Sequence, residues 1–347
     1  MKRDPQTDAV NFFALARDFL HVYMPTVRGL SPKTVEAYRI SLECFVTFLT
    51  TTENLDRSEV TFDHFGRDHL KAWLAWMHTE REYAPKTITL RLSALKAFLA
   101  YAAAEDITLV ALHQAATTLK APAPPKVPIA YLTDDEVRAL LAAHTGTTSK
   151  SRRNRMLLIL LYDTAARVGE ITALTCSNLC LTAPAHVTLT GKRNKTRVVP
   201  LAEHTIAHLR VYLTEFHPSS AQHAAPRPLF YSLHHGQPTR LSTDTVATVV
   251  KNAGRTAREQ GCATMPTNLH CHLLRKTKAM ELYQRGIPLP IIMRLLGHEH
   301  ASTTQAFYAF ATLNMMREAI NTATPTTDPP AADRLTDETL QALYSLR

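Results

Sequence analysis

The sequence predicts a mainly α-helical chain with one small β-hairpin, divided into two domains. Three observations carry this reading. Apolar residues recur at helical spacing through most of the first 120 residues. A run with four prolines in seven residues (Pro122, Pro124, Pro125, Pro128) then interrupts every pattern, because proline cannot continue a helix and favours an extended, semi-rigid spacer. Only residues 186–200 switch to β-rich segments, HVTLT and TRVVP, around the Gly/Asn-containing turn GKRNK.

Taken in order, residues 9–50 read as two helices. Phe12, Phe13, Ala16, Phe19 and Leu20 line the first, and a break at Gly29 follows. Ser31 supplies an N-cap and Pro32 a first helical residue. Val35, Tyr38, Leu42, Phe45, Phe48 and Leu49 then form the apolar stripe of the second helix. A third helix covers 67–79, with Leu70, Trp73, Leu74 and Met77 inward. A fourth runs from Pro85 to about residue 103, with Ile88, Leu92, Leu95, Phe98 and Leu99 inward and Lys86, Arg91 and Lys96 on its other face. The short connections suit a compact four-helix module over residues 1–118. The linker spans 119–130, a second domain 131–325, and a tail 326–347.

The second domain opens on a capping box, Thr133 with Glu136 three residues on, and a helix to Ala143. A buried apolar helix from Arg155 to Leu161 runs into YDTAARVGEITAL. After the hairpin come helices at 203–215 and 243–260, then the stretch HCHLLRKTKAMELYQRG and LLGHEHASTTQAFYAF. Beyond Ile320 the chain turns polar and proline-rich, and Leu335 to Leu346 ends it in a short helical pattern.

Residues 1–120 carry 14 Lys/Arg against 14 Asp/Glu, so the whole net charge of +9 sits in residues 121–347. A basic excess confined to one part points to a polyanion, most often nucleic acid. No apolar run approaches a membrane span, and the first residues carry early acidic groups in place of a signal sequence. Five scattered cysteines build no disulfide framework and fit a reducing cytoplasm. Cys176, Cys180, Cys262, His270, Cys271 and His272 match no strong zinc spacing, so no metal is expected. No GxxxxGK[ST] loop occurs, which leaves nucleotide hydrolysis without support.

The chemistry-bearing residues lie in order. Arg167 follows the apolar LLILLYDTAA, and Glu170 stands three residues on; a buried arginine needs an anionic partner. Lys192 and Lys195 sit in the hairpin turn and compete for one role there, Lys192 being favoured because it follows Gly191. His272 and Arg275, three apart, share one helix face and converge on one small anion. Gly297-His298 and Tyr308 follow.

Together these motifs resemble the tyrosine recombinases, the phage integrase family. AARVGEITAL is similar to that family's LLYxTGxRxxELxxL box, with Ala165 at the usual glycine. GKRNK is similar to its GKGNK-like turn, and HCHLLR, LLGH and ASTTQAFY to its second box. SPKTVEAYRISL and APKTITLRLSALKAFL resemble, more loosely, its N-terminal SAM-like core-binding domain. The resemblance implies an α+β catalytic domain after that helical one, in a site-specific DNA recombinase or integrase that cuts and rejoins DNA through a 3′-phosphotyrosyl intermediate. It assigns phosphate binding to Arg167 and Arg275, support to Glu170, general acid to Lys192, further proton or hydrogen-bond work to His272 and His298, and attack to Tyr308.

The chemistry agrees with these roles. Fixed guanidiniums suit the growing charge on a phosphate, and exchanging one ester for another needs no cofactor. Relatives place the tyrosine nine residues after the histidine; here Phe307 stands at nine and Tyr308 at ten, a helical rotation of about 100°. Phe307 has no hydroxyl, so Tyr308 is the nucleophile. Double-stranded DNA, a homotetramer on two DNA sites, a tail packed on the neighbouring protomer, possible accessory or sister recombinases and a cytoplasmic, nucleoid-associated location follow from the resemblance. Lys86, Arg91, Lys96 and Lys195 are candidate DNA contacts. A non-catalytic DNA-binding factor and a type IB topoisomerase-like relaxing enzyme are the alternatives.

Overall fold

The computed structural model describes residues 5–125, 130–144, 146–191, 194–218, 227–297, 317 and 320. Lys192, His298, Tyr308 and the C-terminal tail expected at 326–347 lie outside the described residues. The chain divides into two compact units, Met1–Val127 and Pro128–Arg347.

Among the described residues, the first unit contains helices and turns but no strand. Helix α1 (Pro5–Asp18) widens into a π-helical segment, Phe19–Val27. Pro25 within it has no N–H to keep a regular ladder. Ser31 accepts the Thr34 N–H and so caps α2 (Pro32–Thr52), with Pro32 as first helical residue. Helices α3 (Arg67–Thr79) and α4 (Pro85–Glu105) follow, and α5 (Val110–Thr117) adds a short fifth helix that the apolar periodicity alone does not single out. The stripes pack into one core around Trp73, Phe45, Phe48, Phe65, Phe98 and Leu49. Residues 119–125 carry neither helix nor strand.

In the second unit, Thr133 and Glu136 close the expected capping box on α6 (Asp134–Ala142). Helix α7 (Ser149–Asp163) is longer at its start than its apolar run, because Thr148 caps it. It does not continue into the Arg167 segment as the sequence reading expected. The chain reverses at Ala165, whose φ is +49°, and a separate short helix α8 (Val168–Ala173) begins with Arg167 as its N-cap. Strands β1 (Leu179–Cys180), β2 (His186–Thr190) and β3 (Thr196–Pro200) form an antiparallel sheet in that order, with Val187 opposite Val199 and Leu189 opposite Arg197. After α9 (Glu203–Phe216) comes an unforeseen hairpin, β4 (Tyr231–His234) and β5 (Gln237–Arg240). Its strands are largely polar and exposed, so they carry no hydrophobic alternation. Its two-residue turn, His235-Gly236, has positive φ at both positions, as a right-twisting hairpin requires. Helices α10 (Thr243–Glu259), α11 (Cys271–Gln284) and α12 (Leu289–Leu296) follow. Its core joins the apolar run of α7 to Val187, Leu189 and Val199 of the sheet and to Val246, Val250 and Leu274.

Candidate active site

The site begins where α7 stops. Met156 through Tyr162 are all buried, which anchors the end of α7 in the core and leaves the next residues to turn back sharply. Arg167 therefore leaves the core at a helix start, in extended conformation, with its side chain 44% exposed. Glu170, in the first turn of α8 and 2% exposed, reaches back to accept the Arg167 backbone N–H at 2.8 Å. Its other oxygen accepts Nη1 of Arg167, also at 2.8 Å.

A second guanidinium meets the same carboxylate. Arg197 stands two residues before buried Val199 on β3, shares its face and so points inward from the sheet. Its Nη1 and Nη2 donate to the two oxygens of Glu170 at 2.7 and 2.8 Å. Burial alone would raise the Glu170 pKa, but the Arg197 hydrogen bonds, with those from Arg167, pull it down to about 2. Glu170 is an anion at any working pH.

The third guanidinium is Arg275 on α11, 3% exposed, which donates Nη1 to the Ala165 carbonyl at 2.7 Å. Burial, with Arg167 and Arg197 nearby, lowers its pKa to about 9, so it stays charged near neutrality. Two arginines thus pair with one carboxylate while a third stands within its electrostatic reach, and a positive excess is left for an incoming anion.

The end of α12 collects all three. Its last carbonyls have no helical partner and form the negative end of the helix dipole, where cations are favoured. Leu295 accepts Nε of Arg197 at 2.8 Å, Leu296 accepts Nη2 of Arg275, and Gly297 accepts Nη2 of Arg167 at 3.4 Å. Three consecutive carbonyls hold three different arginines. Gly297 makes this possible: its φ is +65°, and a Cβ there would stand 3.0 Å from Cδ of Arg197. Gly191 is needed for a similar reason, since a Cβ would lie 2.9 Å from Oε1 of Glu170. Gly191, where the hairpin turn begins, therefore lies directly against the carboxylate.

His270 caps α11 by accepting the Leu273 N–H on Nδ1, and His272 lies one turn before Arg275. Loss of hydration lowers the His272 pKa, helped by repulsion from Lys276, Arg275, His270 and Arg167, although the residue as a whole is exposed. His272 is therefore the neutral, proton-accepting form near pH 7. Lys195 is exposed, and its carbonyl closes the turn by accepting the Gly191 N–H at 2.7 Å.

The three candidates on α4 have different surroundings. Lys86 is exposed. Arg91 stacks over Tyr83 at 5.0 Å and donates Nη1 to the Ile40 carbonyl. Lys96 donates Nζ to the carbonyls of Thr117 and Leu119, and desolvation lowers its pKa. Arg197 is the site residue that sequence reasoning passed over. Its inward position in a strand beside buried Val199 was the available signal. Among the described residues, no three His, Cys, Asp or Glu side chains gather where they could hold a metal ion, and no helix is long and apolar enough to cross a membrane.

Comparison with known proteins bears on this arrangement. Residues 130–313 match the model of the phage integrase family, and residues 18–106 match the phage integrase N-terminal SAM-like domain. A putative integrase/recombinase, y4rC of Sinorhizobium fredii, is 30% identical, with 92% of this chain and 93% of that protein covered. Tyrosine recombinase XerD of Pseudomonas aeruginosa is 32% identical over 81% of this chain and 87% of its own. In fold, the chain is similar to the Tn1549 transposon integrase in complex with transposon right end DNA: TM-score 0.63, 18% identity, 89% and 99% of the two chains covered. It is likewise similar to a lambda integrase tetramer bound to a Holliday junction, with TM-score 0.61, 18% identity, and 88% and 81% covered. With its helical N-terminal domain and its arginine-lined catalytic fold, the chain belongs to the phage integrase family, the tyrosine-type site-specific recombinases.

Proposed function

We propose that this recombinase binds the scissile phosphate of duplex DNA between Arg167 and Arg275, and that Tyr308 attacks it. The observation that carries this reading is the convergence of three guanidiniums on one helix end, where the carbonyls of Leu295, Leu296 and Gly297 hold Arg197, Arg275 and Arg167, the first and last of these also paired with the single carboxylate Glu170. Planar guanidiniums that bridge phosphate oxygens match the charge that grows in the transition state. The Tyr308 oxygen bonds to phosphorus while its proton passes to His272. The bond to the 5′-oxygen breaks, and Lys192 protonates the leaving group. His298 supplies a further hydrogen bond to the phosphate. Attack by a new 5′-hydroxyl reverses each step and rejoins the strand, so one phosphodiester is exchanged for another without net cost.

The names of the similar proteins, a putative integrase of a rhizobium and a transposon integrase, support a role in moving or resolving a mobile element. The lambda integrase tetramer on a Holliday junction supports four protomers acting on two sites. In that assembly residues 334–347 would pack on the next protomer; removing them is expected to abolish synapsis while binding to one site persists. Lys86 and Lys195, both exposed, are the candidate phosphate contacts outside the site. The enzyme would act where the cell keeps its DNA, with sister recombinases or accessory proteins as possible partners.

The test is a nicked suicide duplex carrying the recognition site, with the covalent adduct read on a denaturing gel. The wild type is expected to form an adduct that Tyr308→Phe abolishes. Site-specific binding without an adduct would replace this reading with a non-catalytic DNA-binding factor. Supercoil relaxation without exchange between two sites would replace it with a topoisomerase-like activity.

A further inference from the structure

Arg197 is one of four basic residues in and beside the hairpin turn, and in the sequence only its place two residues before Val199 distinguishes it from the others. In the fold its side chain is 11% exposed and donates in three directions. Nη1 and Nη2 take the two oxygens of Glu170, and Nε takes the Leu295 carbonyl at 2.8 Å. These contacts join three segments that are far apart in sequence. Helix α8 starts on Arg167, β3 pairs with β2 across the turn that holds Lys192, and α12 leads into His298.

We infer that Arg197 is a positioning residue for DNA cleavage, acting through Glu170 on Arg167; this rests on the strand-transfer reading above. A carboxylate offers one edge on which a guanidinium binds with two parallel bonds. Arg197 occupies that edge. Arg167 is left to reach Glu170 through Nη1 alone, with its backbone N–H on the second oxygen. If the edge were vacant, Arg167 could swing down to take both oxygens, which would turn its fork away from a phosphate. The same side chain holds the Leu295 carbonyl and so sets the backbone from which His298 continues. Arg197 itself, nearly enclosed and with all three nitrogens engaged, is a brace for the groups that meet DNA.

Two variants test the inference. Arg197→Gln removes the charge and the fork, and Arg197→Lys keeps the charge but not the fork. On a nicked duplex at saturating protein, Arg197→Gln is expected to slow adduct formation roughly 100-fold, the scale on which small misplacements act. Arg197→Lys should slow it about 10-fold, and the dissociation constant for the site should stay within about two-fold in both. In a Glu170→Gln background, Arg197→Gln should add less than about two-fold, because both changes remove the same link. Full cleavage rate, a loss of affinity as large as the loss of rate, or independent effects of the two substitutions would each overturn the inference. If Arg197→Gln does not fold, Arg197→Lys carries the test.

A readout in the free protein separates this inference from the strand-transfer reading. Amide hydrogen exchange at Arg167, whose N–H is held by Glu170, should accelerate in Arg197→Lys and Arg197→Gln. Loosening confined to β3 would refute the positioning role. Loosening at Arg167 in a protein whose wild type forms no adduct would instead retain the brace and reject the chemistry.

Discussion

Glu170 holds two guanidiniums and a backbone N–H while almost wholly buried, so most of the site's electrostatics passes through one carboxyl group. Its pKa falls from an ordinary 4.5 to about 2. The unfolded chain therefore takes up a proton that the folded chain refuses as pH drops below about 4.5. The stabilisation is fully present above that pH and is lost as pH falls toward about 2, a contribution of about 3 kcal/mol at neutrality. Glu170→Gln should remove that increment, because it leaves Arg167 and Arg197 without a counter-charge. The check is denaturant unfolding from pH 7 down to pH 3: the gap between wild type and variant should narrow as pH falls. A gap that is constant with pH would mean the carboxylate charge contributes nothing.

Two positions show how backbone shape, at the scale of a turn or a helix end, builds the site. Ala165 lies in the left-handed region and is fully buried, with its carbonyl held by Arg275. An L-residue with a Cβ spends about 1–2 kcal/mol there, which glycine would not. Glycine, however, would lose a buried methyl worth about 0.8 kcal/mol and would gain freedom in the unfolded chain worth about 0.4–1 kcal/mol. The effects nearly cancel. Ala165→Gly should thus shift stability by less than about 1 kcal/mol, which explains how this chain tolerates alanine in that turn. Ala165→Val should cost more than about 2 kcal/mol, since a β-branched side chain fits neither the φ nor the packed space. Thermal unfolding distinguishes the two outcomes. At Gly191 the constraint is contact rather than φ. Gly191→Ala places a methyl against Oε1 of Glu170, so the turn must lift or the carboxylate must move. Cleavage is expected to fall at least about 10-fold with little change in melting temperature, because the displaced element is a hairpin tip. Full activity would show that the tip need not lie against the carboxylate.

At the scale of the whole molecule, the two units have separate hydrophobic cores, one built on Trp73 and the aromatic residues around it, the other on α7 and the sheet. Between them residues 119–125 carry no regular structure and prolines deny the segment a helix. Brief trypsin treatment should therefore cut first after Lys120 or Lys126 and yield two resistant fragments, identifiable by mass spectrometry. Persistence of the intact chain under conditions that cut at other sites would show that the segment is shielded. Nearly all of the net charge of the chain lies in the unit that carries the arginine cluster, so the DNA affinity of the C-terminal fragment should fall steeply with salt.

The amino-acid sequence by itself determined the longer helices and the apolar faces that build their cores, because apolar residues at helical spacing must bury one face whatever the topology; the short α5 and α12 carry too few turns to be read that way. It also named Arg167, Glu170, His272 and Arg275, since these types recur in short motifs whose spacing is readable along the chain. It could not show that Arg167 starts a helix rather than continuing one, because that depends on the reversal at Ala165 after a buried helix end. Nor could it single out Arg197, whose partners lie 27 and 98 residues away. Only the tertiary structure brought Leu295, Leu296 and Gly297 under three arginines. The physical reason is that the free carbonyls of a helix end are backbone groups common to every sequence. What they bind is decided by the side chains the fold delivers to them.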